Sequence, residues 1–305
     1  MGAISCLVLY SYIRKEIVLG FLKIEAKKML RFGLPLIPAN LSVFVFNSID
    51  RYFLNYFSTL HEVGLYSLGY RFGTIITILL ASPIALIWPV MFLSVKDHSN
   101  AKTFYVRAVT YITFLSLLMF LGLSLLSKEV IHIFSNKEYW DAYKVIPIIV
   151  LAYTLWTLPK ITNVAMTLKR KTKATAIIFF LGAVINIGLN FALIPKYGMM
   201  GAAYATFITY ALMVAILFFY NQRLIGVSYE WNRIFKMAII AALIFVLGYF
   251  VVINNLAMSI VFKIIIILLY PLFLYIIRFY TEGEIRRVKQ IWNYVIAKAK
   301  IKCRH

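Results

Sequence analysis

Cysteine and histidine are scarce in this chain, with two Cys and four His among 305 residues. Cys6 and Cys303 stand at opposite ends, so the sequence predicts neither a disulfide nor a metal cluster. His61, His98, His132 and His305 fall in or near connecting segments without the close spacing of metal ligands. Acidic residues are few, 11 against 32 Lys and Arg, and the net charge is +21. No Gly-rich phosphate loop is present, and no cofactor is implied. The longest connection away from the basic segments, SKEVIHIFSNKEYWD, has 15 residues. A membrane glycosyltransferase or polymerase would want larger outer loops carrying its acidic and basic groups. These absences point away from an enzyme.

Apolar residues are abundant: 63% of the chain is hydrophobic and its mean hydropathy is +0.86. An ordinary soluble domain is nearer half apolar. Eight runs are long enough to span a bilayer, at roughly 33–54, 66–94, 104–126, 142–160, 174–194, 198–220, 234–253 and 257–280. Backbone groups in lipid must bond within the protein, so each run is predicted to be an α-helix. The runs are continuous, unlike the alternating segments of a membrane barrel. The expected fold is an all-α integral membrane protein of eight transmembrane helices.

Lys and Arg alternate between the connections. Segments 14–31, 95–107, 160–173, 221–236 and 278–305 hold 25 of the 32, whereas the intervening turns hold Lys128, Lys137 and Lys196. Cytoplasmic loops concentrate Lys and Arg in this way, which predicts a multi-pass protein of the plasma membrane with its C-terminus in the cytoplasm. A nucleic-acid partner would call for one basic face on a soluble domain, so none is expected. Residues 1–13 are apolar but too short to span, and they read as the remnant of a preceding helix in a longer protein. A basic cytoplasmic linker follows at 14–31. A six-helix lobe is expected over 32–220, a final helix pair over 221–280, and a basic amphipathic tail over 281–305. Thr281 and Glu284 have the spacing of a capping box at the tail's start. The linker and tail suit the surface of anionic membrane lipids.

Ionisable groups inside spans mark pathways or pairs. The candidates are Asp50, Arg51, Arg71, Lys144, Lys160 and Lys263. Lys144, Lys160 and Lys263 lie near span ends, where they could snorkel to water. Asp50 and Arg51 have apolar sequence on both sides. Neighbours on a helix point about 100° apart, so the two cannot pair well with each other. One arrangement pairs Asp50 with a base on another helix and leaves Arg51 facing a polar cavity; the alternative is a structural ion pair. Asn47, Asn163, Asn186 and Asn190 could line a cavity or bond across helices. Pro195 and Gly198 predict a tight turn, and Gly201, Ala202, Ala203 and Ala205 a small-residue surface for close helix packing.

The stretch MLRFGLPLIPANLSVFVFNSIDRYFLNYFSTLHEVGLYSLGYRFG (29–73) resembles the seventh and eighth helices of Wzx-type polysaccharide repeat-unit flippases. These belong to the multidrug/oligosaccharidyl-lipid/polysaccharide exporter superfamily. NFALIPKYGMMGAAYATF (190–207) resembles their eleventh-to-twelfth helix junction, which drug exporters of the superfamily share. Family members have fourteen helices in two six-helix lobes and a final pair. The resemblance therefore implies the second lobe and the final pair, with the N-terminal lobe missing. It implies translocation, without covalent chemistry, of an undecaprenyl-diphosphate-linked oligosaccharide across the bacterial inner membrane by alternating access. Arg51, Arg71 and Lys160 would receive the diphosphate and acidic sugars, with Asp50 as a coupling or pairing carboxylate. A cation-coupled drug exporter would want an acidic cavity, and Asp50 is the one acidic residue well inside a span.

Overall fold

A chain in lipid must satisfy its backbone N–H and C=O groups internally, and this one does so with helices alone among the described residues. The computed structural model describes residues 10, 23–34, 36–95, 98–168, 171–251, 253, 255–286 and 290. The helix remnant expected over 1–13 lies outside the described residues except for Tyr10, as do the linker before Lys23 and most of the tail beyond Arg286.

A short helix, α1 (Lys23–Gly33), leads into α2 (Leu36–Phe57). Helix α3 (Leu60–Ile76) runs through a π-helical turn, Thr77–Ala81, into α4 (Ser82–Val95). Next come α5 (Ala101–Leu125), the short α6 (Ser127–Phe134) and a 3-10 segment, Lys137–Lys144. Helices α7 (Ile146–Thr157) and α8 (Pro159–Leu168) precede the long α9 (Thr172–Ile225), and α10 (Trp231–Phe250) and α11 (Leu256–Ile276) close the bundle. Local sequence explains several boundaries. Thr59 caps α3 by accepting the Glu62 N–H at 3.2 Å. Asn255 caps α11 by accepting from Met258 N–H at 3.2 Å. The expected capping box is present: Thr281 N–H donates to Glu284 at 2.7 Å, and Glu284 N–H donates to the Thr281 hydroxyl at 3.4 Å. Pro83 has no N–H and crowds the preceding turn, and the helix widens to π geometry just ahead of it.

Helix α9 is two helices. Its backbone breaks at Gly198, where φ is +53° and ψ is −132°. The Asn186 amide donates to the Thr209 hydroxyl at 3.3 Å across this break. In an unbroken helix those residues would stand about 34 Å apart. The chain therefore reverses at Gly198 and α9 is a helical hairpin, which agrees with the turn expected from Pro195 and Gly198. Gly201 lets its two halves meet: a Cβ there would lie 2.4 Å from the Leu193 carbonyl oxygen. Ala202, Ala203 and Ala205 are fully buried beside it.

Helix α7 is apolar all round and occupies the centre, against α3, α5 and α9. Helix α2 packs along α9, and α10 and α11 pair with each other and lean on α5. Ile78, Leu79, Leu86 and Val90 belong to a broad exposed apolar surface of the kind that faces lipid. Five helices are long and apolar enough to cross a membrane; the number is six if the 3-10 segment and Ile146–Asn163, bent by 51°, form one span. This is short of the eight spans expected. The hairpin of α9 is one continuous stretch in that count, and α2 is less apolar because it carries Asn40, Asn47, Asp50, Arg51 and Asn55.

At the end of the helix pair where α10 begins and α11 finishes, Arg233 of α10 bonds Glu230 at 3.0 Å and Glu284 at 3.0 Å. Tyr111 of α5 donates to the same Glu284, and Thr110 donates to Glu230 at 2.6 Å. Burial opposes the charge on Glu284. The bonds from Tyr111, the Thr281 N–H and Arg233 outweigh it and hold this carboxyl below the usual glutamate range.

Gly198→Ala puts a side chain in a backbone region that favours glycine and drives its Cβ toward Glu62. A loss of about 1–3 kcal/mol is expected, read as a lower Tm of the purified protein. Gly122→Ala, in the last turn of α5 with nothing within 4 Å, is expected to be neutral or stabilising in the same measurement.

Candidate functional site

Asp50 lies two-thirds along α2 and is 2% exposed. An ionised carboxylate in such a place needs several donors. Three neutral ones converge on it. The Tyr66 hydroxyl of α3 donates to Oδ2 at 2.6 Å, the Thr206 hydroxyl to Oδ2 at 2.9 Å, and the Asn190 amide to Oδ1 at 2.8 Å. Asn190 comes from the first half of α9 and Thr206 from the second, eight residues on either side of Gly198. The carboxylate thus joins α2, α3 and both arms of the hairpin. The Asn190 amide also donates to the backbone and side-chain oxygens of Asn186, at 3.0 and 3.1 Å. Asn190 Oδ1 has no hydrogen-bond partner among the described residues. Among the described residues, Asp50 does not have the basic partner from another helix that one sequence reading gave it.

Arg51 turns away from this cluster. Its Nε donates to the Ser67 hydroxyl at 3.1 Å and its Nη1 to the Asn47 carbonyl at 2.6 Å. The guanidinium lies over the Tyr70 ring, 4.4 Å from its centroid, and the Tyr70 hydroxyl donates to the Asn47 side chain at 3.0 Å. Arg71 is exposed on α3, four residues beyond Ser67, so it shares the helix face that Arg51 touches. The Lys160 ammonium, at the start of α8, lies 5.0 Å from the Trp156 ring centroid.

Aromatic rings connect these cations. Trp156 stacks on Tyr210 at 4.7 Å, Tyr210 meets Tyr153 at 6.2 Å, and Tyr153 meets Tyr70 edge-on at 5.4 Å. Lys160 caps one end of this row and Arg51 the other. Among the described residues, Arg51, Arg71 and Lys160 form no ion pair with a carboxylate. The structure therefore brings Arg51 and Lys160 onto one aromatic unit, sets Arg71 on the face beside it, and holds Asp50 behind it in a separate neutral network.

Sequence reasoning singled out Asn186 and Asn190 but missed Tyr66 and Thr206. A signal for Thr206 exists, because a chain folded back at Gly198 sets residue 190 opposite residue 206. The oxygens around Asp50 are hard donors of the kind small cations take. No group of three or more His, Cys, Asp and Glu suited to a metal occurs among the described residues.

The family model for polysaccharide biosynthesis proteins matches residues 1–144. A probable low-salt glycan biosynthesis flippase of Haloferax volcanii is 21% identical over 213 residues, covering 69% of this chain and 45% of the relative. The chain thus spans about half the length of that curated relative. Among solved structures, the lipid II flippase MurJ in an inward closed conformation has a TM-score of 0.66 at 17% identity, covering 89% of this chain and 60% of its own. An outward-facing multidrug resistance MATE family transporter of the MOP superfamily has a TM-score of 0.56 at 15% identity, covering 71% and 52%. The chain is thus similar over residues 1–144 to polysaccharide biosynthesis proteins, and it shares its fold with the two solved transporters.

Proposed function

We propose that this chain is the C-terminal lobe and final helix pair of a transporter that flips undecaprenyl-diphosphate-linked oligosaccharides across the bacterial inner membrane. The observation that carries this reading is the set of cations without carboxylate partners. A diphosphate crossing a low-dielectric bundle needs charged donors, and guanidinium groups meet it with paired N–H bonds. Arg51 is already oriented by Ser67, Asn47 and the Tyr70 ring, so it loses little freedom on binding. Lys160 lies toward the basic segments and Arg51 and Arg71 toward the opposite end, so the three mark a path from one side to the other. The face they share is where a second lobe would complete the cavity for alternating access.

In this reading the chain crosses the membrane eight times. The crossings are α2, α3 with α4, α5, α7 with α8, the two arms of α9, α10 and α11. The basic segments face the cytoplasm, where they meet anionic lipids. Asp50 serves as the coupling carboxylate. Uptake of a proton or a small cation there would change the bonds that join α2 and α3 to both arms of α9, and so bias one packing of the lobe over another. The process is transport without covalent chemistry.

In a strain lacking the gene, lipid-linked repeat units should accumulate on the cytoplasmic leaflet, and the full-length gene should clear them. Arg51→Ala is expected to cut the rate by about tenfold or more, the worth of one charged hydrogen-bonding contact, with Arg51→Lys in between. Normal clearance by Arg51→Ala would remove this residue from the path. Asp50→Asn keeps the side-chain shape but removes the charge. It is expected to lower the Tm while leaving the protein folded, because three donors lose their charged acceptor, and to abolish the response of flipping to an imposed ion gradient. An unchanged response would end the coupling role. A membrane-impermeant thiol reagent should label a cysteine at position 136 from outside intact cells and leave one at position 171 unlabelled.

A further inference from the structure

Lys263 stands seven residues into α11 and is 7% exposed. Its nearness to a span end predicts that it snorkels toward water. Instead it turns inward and bonds Glu129 of α6: Nζ donates to Oε1 at 2.5 Å, and the Ser259 hydroxyl donates to the same oxygen at 2.6 Å. Buried ion pairs seldom add stability, because desolvation offsets the attraction, and a pair of apolar side chains would pack as well or better. Stability therefore does not account for this pair.

A cavity does. A space of about 320 Å³ lies among the end of α5, α6, the 3-10 segment and the α10–α11 connection. Lys128, Glu129, Lys263, Ser124, Tyr143 and Tyr249 line it. This is within the size range of small-molecule sites. Glu129 uses one oxygen for both of its side-chain bonds. Its Oε2 and the Ser124 hydroxyl have no hydrogen-bond partner among the described residues. Lys128 lies over the Tyr143 ring, 5.8 Å from its centroid.

The chemistry narrows the ligand. A bare cation would meet two ammonium groups, an anion would meet the Glu129 carboxylate, and an apolar molecule would strand all three charges. A ring bearing several hydroxyls uses every group: carboxylate and serine oxygens accept from it, ammonium N–H groups donate to it, and tyrosine rings cover its C–H face. We propose that this cavity is a sugar-binding site, taking a neutral ring of a glycan. It lies at the end of the bundle away from the basic segments. The proposal rests on the flippase reading for the source of the sugar, namely the glycan that emerges at that end.

The test is direct binding, which needs no transport. Full-length protein in lipid nanodiscs is titrated with neutral methyl glycosides of glucose, galactose and N-acetylglucosamine, with glucuronate and inorganic pyrophosphate alongside, by saturation-transfer NMR. At least one neutral glycoside is expected to bind. The double variant Glu129→Leu with Lys263→Met keeps an apolar contact, should hold the parent Tm, and is expected to weaken that binding by about tenfold or more. Arg51→Ala should leave it unchanged, so loss of transport in that variant bears on the flippase path alone. Absence of binding by every neutral glycoside, binding by pyrophosphate alone, or unchanged binding in the folded double variant would overturn the proposal. A misfolded double variant shifts the comparison to Glu129→Gln, for which the same loss is expected and unchanged binding would again overturn it.

Discussion

A carboxylate inside a membrane protein has no water to fall back on, and the way Asp50 is satisfied governs the arrangement of this bundle. Its donors come from α3 and from both arms of α9. Hydrogen bonds to a charged group contribute about 1.5–3 kcal/mol each, and leaving such a group short of donors costs at least as much. All three donors can reach one residue only if α9 reverses direction. The reversal depends on Gly198, whose backbone lies where side chains are disfavoured, and on Gly201, beyond which the arms approach at backbone distance. A glycine, a hairpin and a buried acid thus form one chain of dependence.

The same arrangement explains how adjacent residues of opposite charge take separate roles. Helix geometry turns Asp50 toward Tyr66 and both arms of α9, and Arg51 toward Ser67 and Tyr70, so neither neutralises the other at contact distance. Asp50 is spent on holding helices together. Arg51 is held by a hydroxyl, a carbonyl and an aromatic face, and among the described residues it forms no ion pair. The row from Tyr70 through Tyr153 and Tyr210 to Trp156 makes the wall behind it rigid, and Lys160 ends the row on the other side. Burial of these rings supplies the apolar packing that lets a polar network persist within a greasy lobe.

Much of the architecture was legible because lipid imposes simple rules. Long apolar runs read as helices, Pro195 with Gly198 as a turn, and Thr281 with Glu284 as a cap. Each depends on residues close in sequence. The span count was harder, because α2 devotes several positions to polar groups that lower its hydropathy. The site was half legible. Asp50, Arg51 and Asn190 declared themselves as polar groups in apolar surroundings, but nothing local told which would meet. Tyr66 and Thr206 looked like ordinary members of their helices. Glu129 and Lys263 lie 134 positions apart, and Lys263, near a span end, read as a side chain reaching toward water. Pairings of this sort are made by the packing of α6 against α11, which no local pattern encodes.

The account rests most heavily on the hairpin of α9, and cross-linking in membranes reads it directly. Cysteines are placed at positions 186 and 209 in a background with Cys6 and Cys303 replaced. Mild oxidation of native membranes should then join them within one chain, because the side chains of Asn186 and Thr209 meet at 3.3 Å. A continuous helix would hold them about 34 Å apart. Failure to cross-link under conditions that oxidise a control pair at positions 186 and 190 would contradict the reversal at Gly198, and with it the shared grip on Asp50.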